Sequence, residues 1–372
     1  MGWKAAGRDL KQKPGWSDCS GLRRRGFALA AVLLLGGCGT LPPMRTMACQ
    51  SAPPTRVSLS PDGRTERAML SVLTYNIEGL GWPARSGRGA QLREIGVRLS
   101  AMRAAGTAPD IVMVQEMFSG PAKKAIMATG YPAVAAGPRR TTRQSKSTRE
   151  KLPGRSQLLL GELGIHLTGG GLAIASRYPI VQVATRAYGR RSCAGKDCLA
   201  NKGIMLARIA VPGVPVPIDL YNTHMNSRGA SGASPERSLV AHGRQAREAS
   251  EFMLDTHEDR YPLVLGGDFN MRHSEERWEN FAIQHALSVV HRDCAQPDSG
   301  CDVRLSWDND EPWMDTQDLQ LFWQGQTVAI RPMRVEAMFD GGASGPRLSD
   351  HDGFLVTYEL SWPAGTPVVS RC

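Results

Sequence analysis

Short apolar runs recur along this chain from Ala68 onward, each closed by polar or turn-forming residues. Met69–Tyr75, Ile111–Gln115, Leu172–Ser176, Gly203–Ile209, Ile218–Asn222, Leu263–Gly266 and Phe354–Tyr358 are predicted as strands. Between them, Arg93–Ala105, Ser238–His257 and Glu275–Ala286 carry apolar residues at helical spacing. No unit repeats at a fixed period. Strands interleaved with helices over some 300 residues predict one large, layered α/β domain.

The pattern is different ahead of that domain. Arg23-Arg24-Arg25 lead into an unbroken apolar run, Phe27–Leu35, which meets Gly36-Gly37-Cys38. A basic stretch, a short apolar core and small residues before a cut predict an export signal over residues 1–37. The run is too short to span a bilayer, which takes about 20 apolar residues. Leu35-Gly36-Gly37-Cys38 resembles the bacterial lipobox, which implies that Cys38 is lipidated and becomes the new N-terminus. An ordinary cleaved signal that leaves a soluble protein is the alternative. Residues 38–66 hold many Pro, Ser and Thr residues without periodicity, so a flexible tether is expected there, with the folded domain at 67–372.

Composition narrows the picture further. An apolar share of 41% over 372 residues is enough for a sizeable core and excludes wholesale disorder, and 40 glycines with 24 prolines argue against a helical bundle. The formal charge of +10 falls to about +5 once residues 1–37 are removed, too mild to establish a nucleic-acid-binding field. Charge is concentrated locally: Arg139–Arg155 carries seven basic residues against Glu150 alone, interleaved with Gly, Pro, Ser and Thr. That is an exposed loop, either a solvated charge run or a flap that attracts an anionic substrate or membrane. Of eight cysteines, Cys19 leaves with the signal and Cys38 goes to the lipid, so six remain in an exported chain where disulfides persist. Cys193/Cys198 and Cys294/Cys301 are candidate short-loop pairs, leaving Cys49 for Cys372. Each short loop is worth about 2–3 kcal/mol on the loop-entropy account. The spacings do not suit a zinc knuckle.

Chemistry gathers at the strand ends. Asn76, Glu116, His224, Asp268 and Asn270 close predicted strands, and Asp350-His351 stand just before the last one. Such a polar cluster is costly to bury unless something pairs with it. A divalent cation held by Glu116 with Asn76 and an aspartate would resolve the cost, and hard oxygen ligands suit Mg2+ or Mn2+.

These residues carry a family resemblance. Tyr75-Asn76, Gln115-Glu116, Gly171-Leu172 through Ser176-Arg177-Tyr178-Pro179, Asn222-Thr223-His224, Gly267-Asp268-Phe269-Asn270 and Ser349-Asp350-His351 occur in the order seen in the endonuclease/exonuclease/phosphatase superfamily, over about residues 68–361. No one of these short motifs is specific; their order and their placement at strand ends are. The resemblance implies a four-layer α/β sandwich, two central mixed sheets flanked by helices, that makes residues 67–372 a catalytic domain for metal-dependent phosphate-ester hydrolysis. It implies that Glu116, Asn76 and Asp350 hold Mg2+ (or Mn2+) and that His351 is the general base. His224 and Asn270 would donate hydrogen bonds to phosphate oxygens, and Asp268 would orient water or assist the leaving group. Superfamily members carry an aspartate shortly before the S-D-H motif to orient the base histidine. Here Glu336 occupies that stretch, with Asp340 a competing candidate. His242, His257, His273, His285 and His291 belong to no motif and are expected to be structural or on the surface. The Trp307, Trp313 and Trp323 stretch is either core or an exposed aromatic loop reaching a lipid interface.

On substrate, Leu199 through Met205 resembles the A-x-K-G segment of neutral and bacterial sphingomyelinases. Asn226–Arg237 and Arg244–Glu248 are similar to the way those enzymes continue past their histidine. Lys202 would then give a point charge to a phosphodiester, its alternative being a surface lysine at a strand start. The implied protein is a sphingomyelinase-like phosphodiesterase of phospholipase C type, lipid-anchored at a bacterial outer membrane or cell surface, with no obligate protein partner. It would cut a choline- or inositol-bearing head group, although no counterpart of the membrane-dipping hairpin of secreted sphingomyelinases stands out. A nuclease that grips the phosphate backbone with residues 139–155 is the second expectation. A catalytically inactive binding lipoprotein is the third.

Overall fold

The chain runs β1 (Val57–Leu59), β2 (Thr65–Asn76), α1 (Gly89–Ala104), β3 (Ile111–Gln115), α2 (Gly120–Ala128), β4 (Ala133–Ala136), β5 (Ala173–Ser176), β6 (Ile180–Ala187), β7 (Gly203–Ile209), β8 (Ile218–His224), α3 (Pro235–Thr256), β9 (Leu263–Asp268), α4 (Glu275–Ala282), β10 (Ser288–Val289), α5 (Val290–Cys294), β11 (Asp302–Arg304), β12 (Asp318–Trp323), β13 (Ala329–Met338) and β14 (Gly353–Pro363). This computed structural model describes residues 45–48, 51–81, 84–146, 148–304, 316–342 and 345–368, all within one unit spanning Gly39–Cys372. The strands make two mixed sheets. One has eight strands, in the order β11-β13-β14-β2-β3-β5-β4 with β1 added beside β2, and the other has six, in the order β10-β12-β9-β8-β7-β6.

Side-chain alternation explains the layers. In β2, Leu70 and Val72 join a cluster with Met205, Leu220 and Val264 of the other sheet, while Leu73 and Tyr75 pack with Leu92, Ile95 and Leu99 of α1. In β8, Leu220 faces the same inter-sheet cluster, while Tyr221 packs with Ala249 and Phe252 of α3. Central strands thus bury both faces, so their sequences read as continuous apolar runs rather than as alternation. The result is helices, sheet, sheet, helices: the expected four-layer α/β sandwich. Buried amides join the two sheets. Gln115 Nε2 donates to Asn222 Oδ1 (2.7 Å), and Gln320 Nε2 donates to the Val72 (2.9 Å) and Phe354 (3.1 Å) carbonyls.

Local signals set the helix starts. Ser234 accepts from Arg237 N with Pro235 in the first turn of α3, and Ser119 accepts from Ala122 N with Pro121 in the first turn of α2. The seven predicted strands are all present, most of them longer than expected, and α1, α3 and α4 correspond to the three predicted helices. The edge strands were not predicted, and neither were β12 and β13. Pro332 in β13 reads against a strand and is accommodated at a register shift between Pro332 and Arg334.

The tether expected through residue 66 is corrected in part. Val57–Leu59 pairs with Glu66–Ala68 of β2, and Arg45 bridges to Val134, because free edges of the sheet offer them backbone partners. Disulfides join Cys193 to Cys198 and Cys294 to Cys301, as expected. Cys38, Cys49 and Cys372, the export segment, Trp307 and Trp313 lie outside the described residues. Among the described residues no helix is long and apolar enough to cross a membrane.

What places the site is the pair of parallel ladders, β2 with β3 and β8 with β9. Asn76 stands opposite Gln115 and His224 opposite Asp268, so two strands of each sheet finish at one edge. The antiparallel strand β12 begins at that edge, with Asp318 opposite Asp268. Carboxyl ends of parallel strands are where α/β sheets present polar groups to a ligand.

Candidate active site

Just past β3, Glu116 adopts a left-handed backbone (φ 59°), and Met117 N donates to the Gly171 carbonyl (2.8 Å). The Glu116 carbonyl lies so close to Gly79 that a Cβ at residue 79 would sit 2.3 Å from it. A glycine is required there, and this contact fixes the turn that aims Glu116. Asn270 is also left-handed (φ 53°), and its N–H donates to Asp268 Oδ1 (3.0 Å), holding that carboxylate from the loop that follows β9.

Asp268 is the hub. Its Oδ2 accepts from Asn76 Nδ2 (2.9 Å) and lies 3.4 Å from His224 Nε2 and 3.9 Å from His351 Nε2. A Glu116 oxygen, a His224 ring nitrogen and an Asp268 oxygen all lie within 4.8 Å of one another. Opposite them, His351 donates through Nδ1 to Asp318 Oδ2 (2.5 Å), which leaves Nε2 on the side of Asp268. Lys202 is buried, and its ammonium donates to Asp197 Oδ1 (2.8 Å), the Met225 carbonyl (2.9 Å) and His224 Nε2 (3.0 Å). Asp197 is braced in turn by Ser227, whose N and Oγ donate to its other oxygen (2.5 and 2.7 Å).

The electrostatics follow from this crowding. Burial pushes the Glu116 carboxyl up to about 7, with the Asp268 charge adding, against a pull down from Lys202, His351 and the Asn76 hydrogen bond. Burial likewise raises Asp268, which His351 partly offsets. Burial together with Lys202 and His351 holds His224 well below the ordinary histidine range, so it is neutral. Burial alone would lower His351, but Asp318, Asp268 and Asp350 outweigh it and raise it well above that range.

The donor set fits a divalent cation. A partly buried carboxylate, a buried one and a neutral imidazole converge, and desolvation drives each carboxyl toward protonation. Carboxylate donors at this spacing suit Mg2+ or Mn2+. Glu116 and Asp268 would hold the ion, with His224 beside them.

Most of the predicted residues meet, but four stand otherwise than expected, Asp268 among them, since it lies with Glu116 and His224 where a cation would be held rather than apart from them as the residue that orients water or assists the leaving group. Glu336, expected to orient the base, lies on β13 of the eight-stranded sheet, opposite Arg304 and Leu355, with its carboxylate 3.8 Å from the Arg304 guanidinium. Asp340 caps its own turn by accepting from Gly342 N (3.0 Å). Asp318, at the start of β12, takes the orienting place instead. Asn76 braces rather than offers a free oxygen, since its amide donates to Asp268 and its Oδ1 accepts from Glu78 N (3.0 Å). Asp350 is half-exposed, 3.5 Å from Arg85 Nη2 and 4.0 Å from His351 Nε2, and stands outside the group formed by Glu116, His224 and Asp268. Asn270 Nδ2 donates to the Met225 carbonyl (3.2 Å), which keeps it beside Lys202. Asp318 and Asp197 were missed. Asp318 carries one signal, an acid opening the apolar run Leu319–Phe322, and Asp197 another, an acid inside a short Cys-to-Cys loop. Of the histidines outside the motifs, His242, His285 and His291 are buried, and His242 Nε2 donates to the carbonyl of Phe269 (2.8 Å), next to Asp268.

The profile of the endonuclease/exonuclease/phosphatase family matches residues 73–324. No curated protein sequence matches the chain. Its fold is similar to that of sphingomyelinase C from Streptomyces griseocarneus, at 20% identity and a TM-score of 0.54 over 78% of this chain and 99% of that one. A beta toxin variant from Staphylococcus aureus with bound magnesium ions is similar at 16% identity and a TM-score of 0.53, over 77% and 98% of the two chains. D. rerio TDP2 in complex with a single-strand DNA product is similar at 14% identity and a TM-score of 0.51, over 78% and 98%. With well over half of its length matched, and with the buried donor cluster inside the matched stretch, the chain belongs to the endonuclease/exonuclease/phosphatase family, whose members are phosphoester hydrolases.

Proposed function

We propose that this protein is a divalent-cation-dependent phosphodiesterase of phospholipase C type, acting on a phospholipid head group and anchored to a bacterial membrane through Cys38. The observation that carries the reading is the meeting of Glu116, His224 and Asp268 with a histidine braced by a carboxylate, His351 on Asp318. Asp318 fixes the His351 ring through Nδ1, and a cation held by Glu116 and Asp268 would offset the Asp268 charge that helps to raise His351, leaving a neutral Nε2 to take a proton from the attacking water. Lys202 has its donors committed to Asp197, Met225 and His224, so it acts on an anionic phosphate through its field rather than by direct contact. A bound cation would neutralise charge on the phosphoryl oxygens. The lipid preference is supported by the A-x-K-G resemblance at Ala200–Gly203 and by the fold shared with a sphingomyelinase C. The export segment at 1–37 and Leu35–Cys38 support an outer-membrane or cell-surface location.

A nuclease is the second reading, favoured by the seven exposed basic residues of 139–155 and by the fold shared with a protein that holds a DNA product. The test is side-by-side turnover of sphingomyelin, phosphatidylcholine, plasmid DNA and a chromogenic phosphomonoester, each with Mg2+ and with EDTA. Cation-dependent release of a phosphorylated head group is expected. Cleavage of plasmid DNA with inert lipid would replace the lipid reading with the nuclease, and activity untouched by EDTA would remove the cation from it.

A further inference from the structure

Between β4 and β5 the polarity of the chain is inverted. Leu158, Leu159, Leu160, Leu163, Ile165 and Leu167 all face solvent, with Leu159 99% and Ile165 64% exposed. The polar residues of the same stretch turn inward. Glu162 accepts from Arg237 Nε (2.9 Å) and Nη2 (2.6 Å) and from Gly195 N (2.9 Å), and His166 Nδ1 donates to the Cys198 carbonyl (2.9 Å). Leu167 N donates to the Leu199 carbonyl (2.7 Å), and Asn201 N donates to the Thr168 carbonyl (3.1 Å). The apolar side chains are therefore presented by a built frame. A water-facing loop would place its charged and polar side chains outward, and contiguous exposed apolar surface marks an interaction site.

The surroundings identify the partner. Arg139, Arg140, Arg143, Lys146, Arg149, Lys151 and Arg155, in the segment that leads into this stretch, are all exposed, with Glu150 the one acidic side chain among them. Their backbone is fixed too. Asn201 Nδ2 donates to the Arg139 (2.9 Å) and Thr142 (2.8 Å) carbonyls, and Arg237 Nη1 donates to the Leu152 (3.1 Å) and Pro153 (2.7 Å) carbonyls. Apolar side chains beside a run of exposed cations match the chemistry of an anionic lipid surface, with acyl chains below and negative head groups above. Asn201 ties both segments to the start of β7, and the next residue, Lys202, touches His224. We infer that residues 158–167 insert into the head-group layer of a membrane, with the cations of 139–155 resting on its anionic lipids, and that this surface holds the site mouth against the bilayer. Its purpose rests on the lipid-substrate reading above, while its existence is tested separately.

The test is flotation of the chain from residue 38 onward carrying Cys38→Ala, so that neither the export segment nor a lipid anchor contributes. The probes are vesicles of phosphatidylcholine, with and without phosphatidylglycerol. The parent is expected to float with both and more strongly with phosphatidylglycerol. Leu158→Ser, Leu159→Ser and Ile165→Ser combined should weaken binding at least about tenfold, since each leucine transfer is worth about that factor or more. Arg139→Gln, Arg140→Gln and Arg143→Gln combined should remove only the phosphatidylglycerol increment. Unchanged melting temperature and unchanged turnover of a soluble chromogenic phosphodiester show that both variants are folded. Vesicle binding that survives the apolar substitutions overturns the inference. So does a parent that ignores vesicles but dimerises through the patch, with the apolar variant monomeric. Vesicle binding with no lipid hydrolysis sinks the substrate reading and leaves the surface standing.

Discussion

Asp318→Asn is the sharpest test of the site, because it separates the residue the fold selects from the one the motif suggests. Asp318 and His351 are both nearly out of solvent, joined by a 2.5 Å hydrogen bond from Nδ1. The amide keeps the size of the side chain and removes its charge. Losing a hydrogen bond to a charged group costs about 1.5–3 kcal/mol, which is about ten- to 150-fold at 1.36 kcal/mol for each factor of ten. Should the amide present its NH2 group to Nδ1, the ring must turn or change tautomer, and the full worth of a general base, about 10²–10⁴-fold, is lost. Turnover of a soluble chromogenic phosphodiester with Mg2+ should therefore fall by about 10²–10⁴-fold in kcat, with KM changed much less. Glu336→Gln, assayed beside it, should match the parent, since its carboxylate faces Arg304. Melting curves of both variants control for folding. Retention of more than about a tenth of the parent kcat by Asp318→Asn, or an equal loss in Glu336→Gln, would refute the assignment.

Other outcomes follow from the same geometry. Gly79→Ala should lower both stability and turnover, because its Cβ would meet the Glu116 carbonyl at 2.3 Å; overpacking of this kind costs about 1–3 kcal/mol, readable by urea melts. Glu116→Gln should raise the Mg2+ concentration needed for activity, and a titration curve that superposes on the parent's would remove Glu116 from the cation site. Burial holds His242 and His291 at about 3 and His285 at about 4, against about 6.5 for an exposed histidine. Their folded pKa values are depressed, so as pH falls from about 6.5 toward about 4 the unfolded chain takes up protons that the native state refuses. Stability should drop by a few kcal/mol per pH unit over that window, with no such slope above pH 7, and a melting temperature flat between pH 7 and 5 would contradict it. Reduction of the Cys193–Cys198 bridge should loosen Asp197 and thereby Lys202; an activity assay with and without dithiothreitol reads this, and no change would separate the bridge from the site.

Strands β2, β3, β5, β7, β8, β9 and β14 were legible because burial wrote them as short apolar runs, whereas β12 and β13, though inside their sheets, were not. β3 and β7 have the bounds expected from composition alone. Edge strands such as β6 and β11 were not, since each meets solvent and carries mixed residues whose pairing is supplied by a neighbour distant in sequence. That Glu116, His224, Asp268 and His351 would lie together was likewise legible, because each stands at or beside the end of a strand.

What sequence could not decide was which acid serves His351. Glu336 stands nearer to it along the chain, yet β13 belongs to the eight-stranded sheet and directs that carboxylate to Arg304, while Asp318 arrives from β12 of the other sheet. Partnership across the site depends on which strands lie side by side, and that order is set by packing between layers rather than by distance along the backbone. The same holds for residues 158–167. Their apolar character is plain in the amino-acid order, but only the inward turn of Glu162 and His166 onto Arg237 and Cys198 leaves the leucines facing outward. Residue types settled which polar groups this protein has at its strand ends; the register of two sheets settled which of them meet.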